Sequence, residues 1–218
     1  MGARSRTPLR ILHAVRLLGF SDVPRIAARS ETSVAEVRLL LRDFETNGWI
    51  RKTSFADLSG WSLTESGRIE NERQLAHERE IADPDGIIEA VHQDFMPLNA
   101  RLFRACTDWQ VRPTVEDKYS PNDHEDPSWD ERVLDELAAL SRELEPLNDR
   151  LTSVLDRFSG YAPRFAKALE FARRGDRGWV AASSCDSCHL VWFQLHEDLI
   201  ATLGISREDE PGRGDQVS

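Results

Sequence analysis

What the 218-residue chain lacks narrows its class. No apolar run is long enough to span a bilayer. The start, MGARSRTPLR, is basic, but no apolar h-region or small-residue cleavage site follows it. Gly2 invites myristoylation, yet Arg6 stands where Ser or Thr is needed. These absences predict a cytoplasmic protein with no membrane partner. Cysteine is scarce: Cys106, Cys185 and Cys188 are too few for a disulfide scaffold, so reduced thiols are expected. There is no serine elbow, HExxH, P-loop or GxGxxG. The expectation is a protein that is not an enzyme, with no catalytic residues, no cofactor and no metal.

What is present suits a folded chain. Apolar residues make up 40% and charged residues 30%, enough for a core and a soluble surface. The length fits one large domain or two small ones. A net charge of −10 argues against nucleic acid until its distribution is considered. Residues 1–80 hold 13 Arg and Lys against 11 Asp and Glu, a balance of +2. Residues 81–218 hold 15 against 27, a balance of −12. The acid lies in the second part and need not face DNA, though any attraction to phosphate must come from local patches.

The first part reads as three helices and a wing. Leu9, Leu12, Val15 and Leu18 share one face of a helix near 7–18, which Gly19 stops. Ser21 or Asp22 caps a short second helix carrying Val23, Ile26 and Ala27, with Pro24 tolerated in its first turn. Ser33 and Glu36 have capping-box spacing at the start of a third helix. Val37, Leu40, Leu41 and Phe44 form its apolar stripe, and Asn47-Gly48 ends it. Trp49-Ile50 predicts a strand and Trp61-Ser62-Leu63-Thr64 its return. Arg51 to Gly60 is the wing between them, with Asp57-Leu58-Ser59-Gly60 at its tip. Thr64 caps a polar fourth helix reaching about Ala82.

Asp83-Pro84-Asp85-Gly86 marks a boundary. Beyond it, Ile88, Val91, Phe95, Leu98, Leu102 and Phe103 predict a helix that Pro97 kinks or divides. Residues 110–129, with three prolines, predict a long loop. Helix resumes near Asp130. Val133, Leu137, Leu140, Leu144, Leu147, Leu151, Val154 and Phe158 keep a four-three spacing that fits either a dimer seam or one face of a helical core. Pro146 makes this one kinked helix or two collinear ones. Residues 188–203 are apolar nearly all round, so that helix should be buried. The tail at 205–218 is expected to be flexible.

On the third helix, Ala35, Arg38, Leu39, Arg42 and Thr46 lie opposite the apolar stripe, and Arg38 and Arg42 are one turn apart. Arginines so placed can hold guanine or phosphate, and Ser33 with the helix start can hold a phosphate. Arg4, Arg6 and Arg10 form a basic arm or a solvated terminus. The CxxCH run at Cys185–His189 matches haem attachment in spacing only, and zinc needs two further ligands. His189, His92, His124 or His196 are the candidates, but no second CxxC exists, so ordinary thiols are the reading. His189, Trp192 and His196 are candidate effector-binding residues on the last helix, with Asp94, Asn99 and Arg101 as possible partners across a pocket.

Residues 33–50 and Trp61-Ser62-Leu63-Thr64-Glu65-Ser66-Gly67-Arg68 resemble the winged helix-turn-helix transcriptional regulators, especially the MarR-like group. The chain as a whole resembles the actinobacterial type with a C-terminal helical domain. The resemblance implies a third helix that reads the DNA major groove. Ser33, Ala35, Arg38, Arg42 and Thr46 would lie at the DNA, with Arg51 and Lys52 of the wing against phosphate. It departs from the family in two ways: the wing tip has no basic residue, and nearly all the extra helices follow the winged part. The expectation is therefore mainly α with a small β wing, in two domains. A winged helix at 7–82 would bind double-stranded DNA as a homodimer, and an all-helical domain at 87–204 would serve dimerisation or a small-molecule effector. The alternative is a winged-helix protein-interaction module that does not bind DNA.

Overall fold

The computed structural model describes residues 2–55 and 58–205. Three short helices come first: α1 (Thr7–Leu18), α2 (Val23–Ser30) and α3 (Val34–Thr46). An antiparallel hairpin of β1 (Ile50–Phe55) and β2 (Leu58–Leu63) follows, then α4 (Glu65–Ala82). The remaining helices are α5 (Ile87–Gln110), α6 (Pro127–Val154), α7 (Tyr161–Arg173), the short α8 (Gly178–Ala181) and α9 (Cys188–Leu203). The chain is thus mainly helical with one small antiparallel hairpin, consistent with a winged-helix-type fold.

Side-chain caps account for several boundaries. Asp22, not Ser21, caps α2 by accepting from the Arg25 amide. Ser33 accepts from the Glu36 amide at 3.2 Å, and Thr64 from the Gly67 amide at 3.1 Å. Gly48, at φ +72°, turns the chain out of α3 into β1, a conformation that costs glycine little.

Several local expectations give way to tertiary structure. The wing expected from Arg51 to Gly60 is itself strand: β1 and β2 pair without interruption from Ile50–Leu63 to Phe55–Leu58, so Leu58, Ser59 and Gly60 of the expected tip lie in β2. Asp57 of the expected tip lies outside the described residues. Pro97 does not divide α5, nor Pro146 α6. An interior proline costs about 3 kcal/mol locally. Here apolar anchors lie buried on both sides of each, Phe95 and Leu98 in one helix, Leu144 and Leu147 in the other. α6 also starts earlier than Asp130, because Asp126 caps it and Pro127 fits its first turn. All eight residues of the four-three stripe are buried within this chain. That makes the stripe a face of the helical core and leaves it unavailable as a seam between copies. Residues 206–218 of the expected tail lie outside the described residues.

The chain divides into two compact units, and the division falls inside α9. One unit holds residues 86–196. Its core packs α5 against α6 and α6 against α7, with Trp192 of α9 stacked on Phe95 at 4.9 Å and tilted against Phe165 at 5.5 Å.

The other unit joins residues 3–85 to the segment from Glu197 onward. Ile11, Leu12 and Val15 of α1 close its core with Ile26, Val37, Leu41, Phe44, Ile50 and Trp61. On another face Leu9 meets Leu75 and Ala201. Beside that contact His13 Nε2 lies 3.0 Å from Asp198 Oδ1, both side chains buried. The two groups are in close contact without a directed hydrogen bond. His13 Nδ1 faces Asn71 Oδ1 at 3.2 Å. Arg16 bonds Glu72 and Glu197, each at 2.9 Å.

A buried carboxylate that faces a specific partner is costly to disturb. Asp198→Ala is expected to lower stability by about 3 kcal/mol, read from urea unfolding.

Candidate nucleic-acid interface

The outward face of α3 follows from its inward one. Val37, Leu41 and Phe44 are buried, which leaves Ala35, Arg38, Leu39, Arg42 and Thr46 exposed on the opposite side. Three of the expected cations come together. Arg38, Arg42 and Lys52 line one surface cleft of about 380 Å³, shared with Asp22, Ser59 and Trp61. Lys52 reaches it because β1 pairs Lys52 with Trp61, over whose ring its ammonium sits at 5.9 Å. Among the described residues Asp22 is the one carboxylate there, and its side chain is engaged as the α2 cap.

Other expected residues are placed differently. Arg51 neighbours Lys52 on β1, so the two side chains project from opposite faces of the hairpin. Ser33 spends its hydroxyl on the helix cap, and Thr46 returns its own to the Arg42 carbonyl at 2.9 Å. In the basic arm Arg4 and Arg6 are exposed, whereas Arg10 bonds Thr32 at 3.2 Å. The wing ends in a feature the sequence reading passed over. Phe55 and Leu58 face each other across the hairpin and are 79% and 67% exposed.

The candidate effector residues sit in a packed environment. Trp192 is 1% exposed, its ring lies against Phe95 and Phe165, and its Nε1 donates to Asn99 Oδ1 at 3.0 Å. His196 is buried beside Phe95 and His92. His189 sits apart from them, edge-on to Phe103, and burial lowers its pKa. Of the partners named from sequence, Asn99 is engaged with Trp192. Asp94 pairs instead with Arg150 at 2.6 Å, and Arg101 with Glu136 and Glu143.

The CxxCH thiols also part company. Cys188 is buried near Cys106, and burial pushes each thiol up to about 12. Cys185 is half-buried, and its thiol is raised first by burial and then by Asp176 and Asp186. Among the described residues no three His, Cys, Asp or Glu side chains gather as metal ligands.

The architecture defines a class, a mainly helical protein with a small antiparallel hairpin, consistent with a winged-helix-type fold. No protein-family model, curated protein or solved structure matches the chain.

The thiolate is the reactive form, so raised thiols are slow nucleophiles. At neutral pH the native protein is expected to react with DTNB at Cys185 alone, more slowly than free cysteine does. All three thiols should react after denaturation.

Proposed function

We propose that this protein is a DNA-binding transcriptional regulator of the MarR-like winged-helix kind, acting in the cytoplasm as a homodimer. The observation that carries this reading is the convergence of Arg38, Arg42 and Lys52 on one exposed cleft beside α3. These cations come from two elements, and α3 offers its polar face outward between them. Guanidinium groups one turn apart suit base edges or phosphates, and an ammonium on the wing suits a phosphate. The reading includes regulation by a small-molecule effector on the helical half.

A second reading, a protein-interaction module, draws on the apolar wing tip. Phe55 and Leu58 replace the cations that a wing against phosphate needs, and exposed apolar pairs of this size suit a protein surface.

Gel-shift titration of genomic fragments at low salt separates the two. Arg38→Ala/Arg42→Ala is expected to weaken DNA binding by about 2 kcal/mol or more and to flatten its salt dependence. Both residues are exposed, so the variant should keep its helical circular dichroism. No binding by the intact protein at low salt would reject the DNA reading in favour of the interaction module.

Pairing two winged units adds affinity and half-site spacing. With the 133–158 stripe buried, the remaining candidate seam is α4, a polar helix on which Ile69 and Ile81 are exposed. Sedimentation at micromolar concentration is expected to give a dimer, and Ile69→Glu/Ile81→Glu to shift it toward monomer.

A further inference from the structure

The loop between α5 and α6 builds a polar constellation that none of the readings above uses. Asn122 anchors it: its backbone N–H donates to the Gln110 carbonyl at 2.9 Å, and its side-chain Nδ2 donates to the Trp109 carbonyl at 3.1 Å. The same Nδ2 donates to Asp130 Oδ1 at 3.0 Å. Asn122 Oδ1 accepts from the His124 amide at 3.1 Å. These bonds hold His124 at φ +62°, a region that side chains other than glycine's enter sparingly and that recurs at functional sites. The imidazole lies against Trp109, ring centres 4.6 Å apart.

Its two ring nitrogens have different fates. Nδ1 is 2.9 Å from each oxygen of Asp130. A carboxylate only accepts, so Nδ1 carries a proton and donates. The other nitrogen, Nε2, makes no hydrogen bond among the described residues, and it is the atom left for a ligand. His124 also lines a surface cleft of about 410 Å³, together with Trp109, Gln110, Arg177, Ala181 and Ala182. Arg177 is exposed, donates to the His124 carbonyl at 3.2 Å, and forms no ion pair among the described residues.

We propose that this cleft binds the phosphate of a small organic phosphomonoester, with Arg177 and the Asp130-held His124 as its polar contacts. A guanidinium fork matches phosphate oxygens. The second ionisation of a phosphomonoester falls near pH 6, so it offers both O–H and O⁻ around neutrality. Either form of Nε2 then has a complement: the lone pair accepts from P–OH, or N–H donates to P–O⁻. A carboxylate at that pH has acceptors only and fits one form. Trp109, Ala181 and Ala182 give the organic body an apolar wall, and the volume lies within the usual range for small-ligand sites. Asp130 is a positioning residue that fixes the tautomer.

This rests on the effector part of the proposed function and gives it an address, but its test needs no DNA. Failure here leaves the α3 reading standing, and failure to bind DNA leaves this site standing. The intact protein is titrated with phenyl phosphate, inorganic phosphate and benzoate, read by NMR at the Trp109 indole and the His124 imidazole. Phenyl phosphate is expected to bind saturably and more tightly than the other two. Arg177→Ala and His124→Ala are each expected to weaken it about tenfold or more. Asp130→Asn is expected to change the His124 tautomer, seen in its ring ¹⁵N shifts, as well as the affinity. Arg177 is exposed, so its variant keeps the test valid if the His124 variant unfolds. No saturable shift at either ring, binding unchanged in Arg177→Ala, or benzoate binding as tightly as phenyl phosphate overturns the proposal. Inorganic phosphate binding as tightly as phenyl phosphate overturns the organic ligand and assigns the site to the free ion.

Discussion

The unit that carries the hairpin depends on a carboxylate supplied by α9, more than a hundred residues beyond the rest of that unit. Asp198 has no exposed surface, and within its unit it faces His13 on α1, with Arg29 Nη2 3.9 Å from its other oxygen. Close by, Arg16 is shared between Glu72 and Glu197. A charge taken out of water is tolerated only where its partners are in place. Apolar contact could let residues 197–203 slide on α1, since Leu9, Leu75 and Ala201 form a small patch. The charge contacts are specific in position and hold the segment in one register. The unit that contains α3 is therefore discontinuous in sequence, and a cut at residue 85 would remove part of it.

With α1 held on that side, its other face sets α2 and α3. Ile11, Leu12 and Val15 share one core with Ile26, Val37 and Leu41, so the polar face of α3 must point outward. The far end of α3 is tied as firmly. Thr64 and Ser66 both donate to the Gly48 carbonyl, and the Thr64 amide donates to the Trp49 carbonyl at 2.9 Å. Gly67 passes so close to Trp49 that a Cβ would collide with its carbonyl oxygen. These ties fix the hairpin against the helix end. They explain how Lys52 comes to the same cleft as Arg38 and Arg42 from a different element.

Where local chemistry was decisive, the sequence was readable. The extent of α3 could be read because its cap, its apolar spacing and its terminating glycine agree. The prolines of α5 and α6 left kink and division both open from sequence, and the helices continue through them because burial on either side of the ring outweighs the local penalty. The four-three stripe was recognisable as an apolar face, but spacing cannot say whether the partner is another helix of the same chain or a second copy. The histidines of α9 looked like polar groups in search of a ligand, yet Trp192 between them packs against Phe95 and Phe165 and donates to Asn99. The His124–Asp130 pair was hidden in a segment that reads as irregular loop, because its order comes from side-chain bonds to Asn122 and not from any periodic pattern.

The sequence by itself determined where α1, α3 and α9 lie and which face of α1 and α3 is apolar, since caps, turns and periodicity act over a few residues. It also determined the concentration of acid in the second half. Only the tertiary structure decided what each face meets. It buried the 133–158 stripe within the chain, set Asp198 against His13 and brought Lys52 to Arg38 and Arg42. It also left Nε2 of His124 open while Asp130 took Nδ1. These outcomes turn on distances of a few ångströms between residues from 6 to 185 positions apart, and local sequence pattern carries no information about such approaches.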